Sequence, residues 1–136
     1  MLNDDIFARC SEINDKLNDG CVSEARSMVI QLLDSLEKHN NFYMPLINHL
    51  IREVGLYPYM NPQTANWEDR FAYEAFKVNI GEEEKCTLHL DQSLVLKRLL
   101  SGDSIAVSAP TSFGKSFIID AYIAIKRPNI VVDIVP

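Results

Sequence analysis

The sequence predicts an α/β protein in which an all-helical N-terminal region precedes a strand, loop, helix and strand. Apolar residues recur at helical spacing through the first part of the chain, whereas short β-branched runs occur only near 104–108 and 129–135. The charge balance changes between the two parts. Residues 1–85 hold 8 Lys+Arg and 15 Asp+Glu, a balance of −7, and residues 86–136 hold 5 and 4, a balance of +1. We therefore expect a boundary near residue 85.

Composition excludes several classes of protein. The 136 residues are 47% hydrophobic and 24% charged, which is typical of a globular chain. No segment approaches the ~18 apolar residues of a membrane span, and the acidic N-terminus does not resemble a signal peptide. The three cysteines (Cys10, Cys21 and Cys86) are too widely spaced for a disulfide framework or a zinc site, so a reducing, cytoplasmic location is expected. The chain has no basic stripe of the kind that binds nucleic acid.

Apolar periodicity predicts four helices in the N-terminal region. They are expected at about 3–19, 22–38, 45–54 and 67–76. Two prolines and a glycine predict a loop at 55–63. Trp67, Phe71 and Phe76 stand at helical spacing, which favours core aromatics over a platform for stacked bases. Gly81 and the following glutamates predict the linker.

The C-terminal part predicts one βαβ unit. A short helix is expected at 91–100, a buried strand at 104–108, a helix at 115–126 and a second strand at 129–135. A strand–helix–strand crossover of this kind is right-handed and pairs its strands in parallel. This part should therefore begin a sheet that further strands complete.

The loop between those strands carries the clearest motif. The segment APTSFGKS at 109–116 matches the phosphate-binding pattern except that alanine replaces its first glycine. Gly114 can adopt the backbone angles that turn amides toward phosphate oxygens, Lys115 supplies a cation, and the Ser116 hydroxyl suits Mg²⁺. The predicted phosphate-binding residues are Ala109, Pro110, Thr111, Ser112, Phe113, Gly114, Lys115 and Ser116. The motif therefore predicts ATP and Mg²⁺ as cofactors.

Three segments resemble superfamily 2 helicases of the DEAD/DEAH-box type. Residues 109–111 before Gly-Lys-Ser resemble the family's motif I, and Phe113 resembles a bacterial group of which some members are linked to phage defence. Gln92 precedes Ala109 by seventeen residues, the spacing of the glutamine that reads adenine in DEAD-box proteins. Residues 131–136 (VVDIVP) look like the strand that leads into motif Ia.

This resemblance implies the N-terminal part of an ATP-dependent nucleic-acid helicase. Residues 86–136 would be the truncated start of a RecA-like ATP-binding domain, and residues 1–85 a helical accessory region. The chain would bind ATP·Mg²⁺ at most, because it offers no carboxylate that would activate water, so we assign no catalytic residue. Nucleic acid would bind through the remainder of the core, a protein partner could bind the helical region, and no membrane contact is implied.

Two other interpretations remain open at this point. A small P-loop kinase or ATPase would need a metal-binding carboxylate, for which Asp133 is the candidate. A non-enzymatic helical interaction module would carry a vestigial loop. His39, His49 and His89 are scattered, and we interpret them as structural.

Overall fold

The structure is a computed structural model that describes residues 2–41, 43–81, 83–132 and 134, with only the backbone of 2–4 and 111. Its elements are α1 (Leu2–Asn18), α2 (Val22–Lys38), α3 (Pro45–Glu53), α4 (Trp67–Ala75), β1 (Lys77–Asn79), β2 (Lys85–Thr87), α5 (Leu90–Leu100) and α6 (Lys115–Lys126), with 3₁₀ turns at Tyr57–Tyr59 and Thr111–Phe113. The chain forms two compact units, unit 1 (Met1–Ala75) and unit 2 (Phe76–Pro136). The described chain has no helix that is both long and apolar enough to cross a membrane.

Unit 1 confirms the predicted helical region for its described residues up to 75, but the prediction extended to residue 85 and so included β1. The helices α1, α2 and α3 each bury one apolar stripe, as their 3.6-residue period requires. Their buried core residues are Ile6, Cys10, Ile13, Ala25, Val29, Leu32, Leu33, Leu36, Ile47, Leu50 and Ile51. Burial raises the pKa of the Cys10 thiol, and this cysteine is free, so its side chain acts as a small apolar group.

A buried asparagine fixes the segment between α3 and α4. Asn48 is fully buried, and its Nδ2 donates to Thr64 Oγ1 at 3.0 Å. Its Oδ1 accepts a hydrogen bond from the backbone N–H of Asn61 at 2.8 Å. Both ends of the amide are thus used, which offsets the cost of burying it. These bonds hold the chain that leads into α4 against α3.

Unit 2 packs α5 against α6 beside a short antiparallel hairpin. The register of β1 and β2 pairs Val78 with Cys86. Leu88, Leu96, Ile118 and Ala121 form its buried apolar cluster. Of the residues predicted as a linker, 81, 83 and 84 lie between the two strands, and 82 lies outside the described residues. The assignment of residues 1–85 and 86–136 as separate domains stays a prediction.

The predicted parallel strand pair was wrong for the described residues. Residues 103–110 lie outside helices and strands, as do the described residues of 129–135, and the described sheet consists of β1 and β2 alone. The sequence had predicted helix or linker where this hairpin forms. Parallel strands are normally covered by other elements on both faces and paired with further strands along their edges. Two strands with one crossover helix would leave one face uncovered and both outer edges unpaired. We therefore find no RecA-like sheet; Asp133 and residues 135–136 lie outside the described residues.

The prediction of core aromatics was wrong for two of the three residues. Trp67 is 77% exposed and Phe71 is 73% exposed, whereas Phe76 is half-buried. Asp69, which lies between the first two on α4, is instead fully buried. The periodicity identified the helix correctly, but the face of α4 that is buried carries the Asp69 carboxylate rather than the aromatic side chains.

Candidate functional site

The loop before α6 has a backbone suited to anions. Residues Thr111–Phe113 form a 3₁₀ turn, and Gly114 follows in the left-handed region at φ 74° and ψ 40°. A right-handed turn followed by a left-handed residue directs successive amide N–H groups into one concavity, which is a recurring anion-binding arrangement. α6 begins at Lys115, so the positive end of a twelve-residue helix faces the same place.

Gln92 fastens this loop to α5. Its side chain is 6% exposed, and its Nε2 donates to the carbonyl of Phe113 at 2.7 Å. Its Oε1 accepts from the backbone N–H of His89 at 2.9 Å, at the start of α5. The structure thus brings Gln92 and the loop together, whereas the role of Gln92 in binding a ligand stays a prediction. It also commits both ends of the amide to backbone groups, although the sequence assigned them to adenine.

The Lys115 side chain bonds back to the first residues of the loop. Its Nζ donates to the carbonyl of Ala109 at 2.7 Å and to that of Pro110 at 3.2 Å. Ser112 and Ser116 are exposed beside it, and the side chain of Thr111 lies outside the described residues. The ammonium group is therefore held at the loop by two uncharged carbonyl acceptors. An anionic ligand, which makes stronger charge-assisted hydrogen bonds, can compete for it.

The surroundings of the loop are apolar and offer few metal ligands. A groove of about 260 Å³ adjoins Lys115. Its other lining residues are Val95, Leu99, Ile105, Val107, Ile118 and Ile119. The described residues contain no cluster of three or more His, Cys, Asp or Glu side chains that could hold a metal. Mg²⁺ would therefore fit here only with the Ser116 hydroxyl, ligand phosphate oxygens and water, a donor set that Mg²⁺ does accept.

Substituting Gly114 by alanine is expected to break the contact between Gln92 and the loop. A Cβ at position 114 would lie 2.6 Å from Gln92 Nε2, and Gln92 is held there by two hydrogen bonds. Gly102→Ala is the matched control, because Gly102 also has positive φ but its Cβ would meet nothing within 4 Å. Both substitutions should lower the stability of the fold by about 1–2 kcal/mol, because alanine is strained at positive φ. Only Gly114→Ala should also shift the NMR signals of the Gln92 side-chain amide. The same Gln92 signals in Gly114→Ala and Gly102→Ala would contradict the contact.

Sequence reasoning missed a polar cluster in unit 1. Asp69 Oδ1 accepts from Arg52 Nη1 at 3.2 Å and lies 3.8 Å from His49 Nδ1. The backbone N–H of Asp69 donates to Asn66 Oδ1 at 2.8 Å, so Asn66 caps α4. An asparagine followed three residues later by an acidic residue is close to the signature of a helix start. That pattern could have identified the cap, but not the burial of its carboxylate.

Comparison with known proteins assigns the chain to one family, through a match that lies in unit 1. Residues 1–70 match the family described as Anti-bacteriophage protein B N-terminal domain, and since this is more than half of the chain, the chain belongs to that family. The chain is also similar to anti-bacteriophage protein B of Escherichia coli strain K12, with 26% identity over 113 residues. The match covers 82% of this chain and 15% of that relative, so the chain spans about 15% of the relative's length. No solved structure matches the chain significantly.

These comparisons overturn the interpretation as a DEAD/DEAH-box helicase fragment. The family match lies in residues 1–70, whereas the helicase resemblance depended on residues 86–136. The classes that it implied, helicase, hydrolase and ATP-binding protein, are replaced by the anti-bacteriophage protein family. The resemblance failed because a Gly-Lys-Ser loop specifies a local backbone geometry and a charge. The same local geometry can serve proteins of unrelated function.

Proposed function

We propose that this chain serves in defence against bacteriophage, as part of a longer protein. Its membership of the Anti-bacteriophage protein B N-terminal domain family supports this proposal, and so does its similarity to the relative from Escherichia coli. The three free cysteines suit the cytoplasmic location that such a role requires. Protein or nucleic-acid partners of the longer protein belong to the same proposal.

We further propose that the loop of unit 2 binds the phosphate groups of a ligand. The observation that carries this proposal is the 3₁₀ turn followed by left-handed Gly114, with Lys115 at the start of α6. Ser112 and Ser116 supply exposed hydroxyls beside those amides. ATP with Mg²⁺ is the first ligand to test, with Ser116 toward the metal.

Replacing Lys115 by alanine is expected to weaken phosphate binding strongly. The substitution removes the cation nearest to the loop amides, and charge-assisted bonds to phosphate are the strongest bonds available there, so we expect at least about a tenfold loss of affinity. Titration calorimetry of the 136-residue chain with ATP·Mg²⁺ and with inorganic tripolyphosphate measures this loss. Lys126→Ala, at the other end of α6, removes the same charge and should bind normally.

The titration and a plating assay test the phosphate-binding proposal and the defence proposal separately. Equal affinity of the wild-type chain and Lys115→Ala would exclude the loop as the phosphate site and leave the family assignment intact. A plating assay then tests the defence role directly. A chromosomal Lys115→Ala allele should raise the plating efficiency of phages that the wild-type strain restricts. No change on deleting the whole gene would contradict the defence proposal itself.

A further inference from the structure

Two aromatic side chains form an exposed patch on α4. Trp67 and Phe71 are one helical turn apart, so they share a face, and both are more than 70% exposed. Large exposed aromatic residues are uncommon on a surface that contacts only water, and tryptophan in particular is enriched at the centres of protein interfaces. We call Trp67 and Phe71 the aromatic patch.

The buried face of α4 holds the aromatic patch outward. Asp69 lies two residues from each aromatic side chain, on the opposite side of the helix. Its carboxylate is fully buried and accepts a hydrogen bond from Arg52, and its N–H is capped by Asn66. A rotation of α4 that buried the aromatic patch would break these bonds. The exposure is therefore fixed by the fold of unit 1.

Opposite charges stand on the two flanks of the aromatic patch. Glu68 and Arg70 are both exposed, and the helical repeat places them on opposite sides of the stripe formed by Trp67 and Phe71. When two such helices face each other in parallel about a twofold axis, each Glu68 lies beside Arg70 of the second copy, as at the flanks of a parallel coiled coil. An antiparallel pair would instead place like charges side by side.

We propose that this face of α4 is a docking surface for a second copy of the chain, with the two α4 helices parallel. The surface is self-complementary along the aromatic patch, as a twofold contact requires: aromatic residues meet aromatic residues, and Glu68 meets Arg70. The exposed Glu74, one turn beyond Phe71, ends the patch on the C-terminal side. The apolar area is well below the ~800 Å² per partner of a standard interface, so the association is weak. This inference goes beyond the proposed function and does not depend on the loop of unit 2.

Net charge makes this association sensitive to salt. Residues 1–75 hold 6 Lys+Arg and 12 Asp+Glu, a net charge of −6, so two copies of unit 1 repel each other at a distance. Raising the salt concentration from about 50 mM to about 300 mM shortens the range of that repulsion. Salt also screens the two Glu68–Arg70 pairs, but the net charge of −6 on each unit outweighs them, so we expect the dimer to strengthen over this range. A basic partner would show the opposite.

The single tryptophan of the chain reports on this face directly. Trp67 is the only Trp in the sequence, so its emission and its quenching by acrylamide measure burial of the aromatic patch. As the chain is concentrated from about 10 µM to about 1 mM, the emission should shift to shorter wavelength and quenching should fall. Phe71→Ala should remove this dependence. Phe7→Ala, which removes another exposed phenylalanine of unit 1, should leave it unchanged.

Charge exchange tests the orientation. The twofold axis creates two equivalent contacts between position 68 of one copy and position 70 of the other. Glu68→Arg alone and Arg70→Glu alone each place like charges in both contacts, so each should weaken the association by about fivefold. The double variant restores opposite charges and should recover wild-type affinity. Emission that is independent of concentration would overturn the proposal. So would a double variant as weak as the single ones, or single variants without effect, since these results indicate a different occupant or an antiparallel pair.

Discussion

Replacing Arg52 by alanine is expected to lower the free energy of unfolding of unit 1 by about 3 kcal/mol. The guanidinium group donates to Asp69 Oδ1 at 3.2 Å, and the Asp69 carboxylate is fully buried. Removing the arginine leaves a buried charge without its principal cation, and this costs more than the ion pair itself contributed. Asp69 Oδ2 has no hydrogen-bond partner in the structure, so the remaining carboxylate has little compensation.

Chemical denaturation followed by the circular dichroism of the helices measures this loss, since Trp67 is already exposed in the folded chain. Arg70→Ala is the matched control, because it removes an exposed arginine and should change stability by less than about 0.5 kcal/mol. Adding Asp69→Asn to Arg52→Ala removes the buried charge and should recover part of the stability. His49 is the other nearby base, at 3.8 Å from Asp69 Oδ1. An equal loss in Arg52→Ala and Arg70→Ala would show that the buried pair does not stabilise α4.

Periodicity predicted the helices because each of them must bury a stripe. The segment predicted at 22–38 is α2 with the same bounds, and the 115–126 segment is α6. Apolar residues at helical spacing have no competing arrangement when a neighbouring helix covers them. Local sequence is therefore sufficient for these elements.

Elements that depend on distant partners could not be predicted in this way. The run at 104–108 has strand composition, but a strand exists only when another strand pairs with it. β1 and β2 are three residues each, too short to show alternation. The burial of Asp69 depends on Arg52, seventeen residues earlier. No pattern within α4 contains that information.

For the candidate loop, too, the local backbone could be predicted from the sequence, whereas a contact with a distant residue could not. Its motif predicted Gly114 in a left-handed turn and Lys115 at the start of a helix, and the structure has both. The motif did not predict that Gln92 would bond to the carbonyl of Phe113, because this contact joins residues 21 positions apart. The class of protein was missed because the family match lies in unit 1, whose helices carry no chemical motif.

In the 136-residue chain, the exposed apolar side chains of 130, 132 and 134 are expected to drive self-association of a second kind. Ile130 is 82% exposed, Val132 is 79% exposed and Ile134 is 89% exposed. A short β-branched segment with unpaired backbone groups is a template for pairing between chains. We therefore expect the 136-residue chain to form high-mass species, whereas residues 1–75, which form unit 1 and lack this segment, stay soluble.

Charged substitutions in this segment should disperse the chain. Ile130→Lys together with Val132→Lys places like charges where strands from two chains would pair, so size-exclusion chromatography with light scattering should show the loss of high-mass species. Ile30→Lys, at an exposed apolar position of α2, is the control and should not disperse it. This association leaves the emission of Trp67 unchanged, which separates it from pairing through α4. A monomeric wild-type chain with amides strongly protected from hydrogen exchange across 129–132 would contradict the prediction, because those amides would then already have partners within one chain.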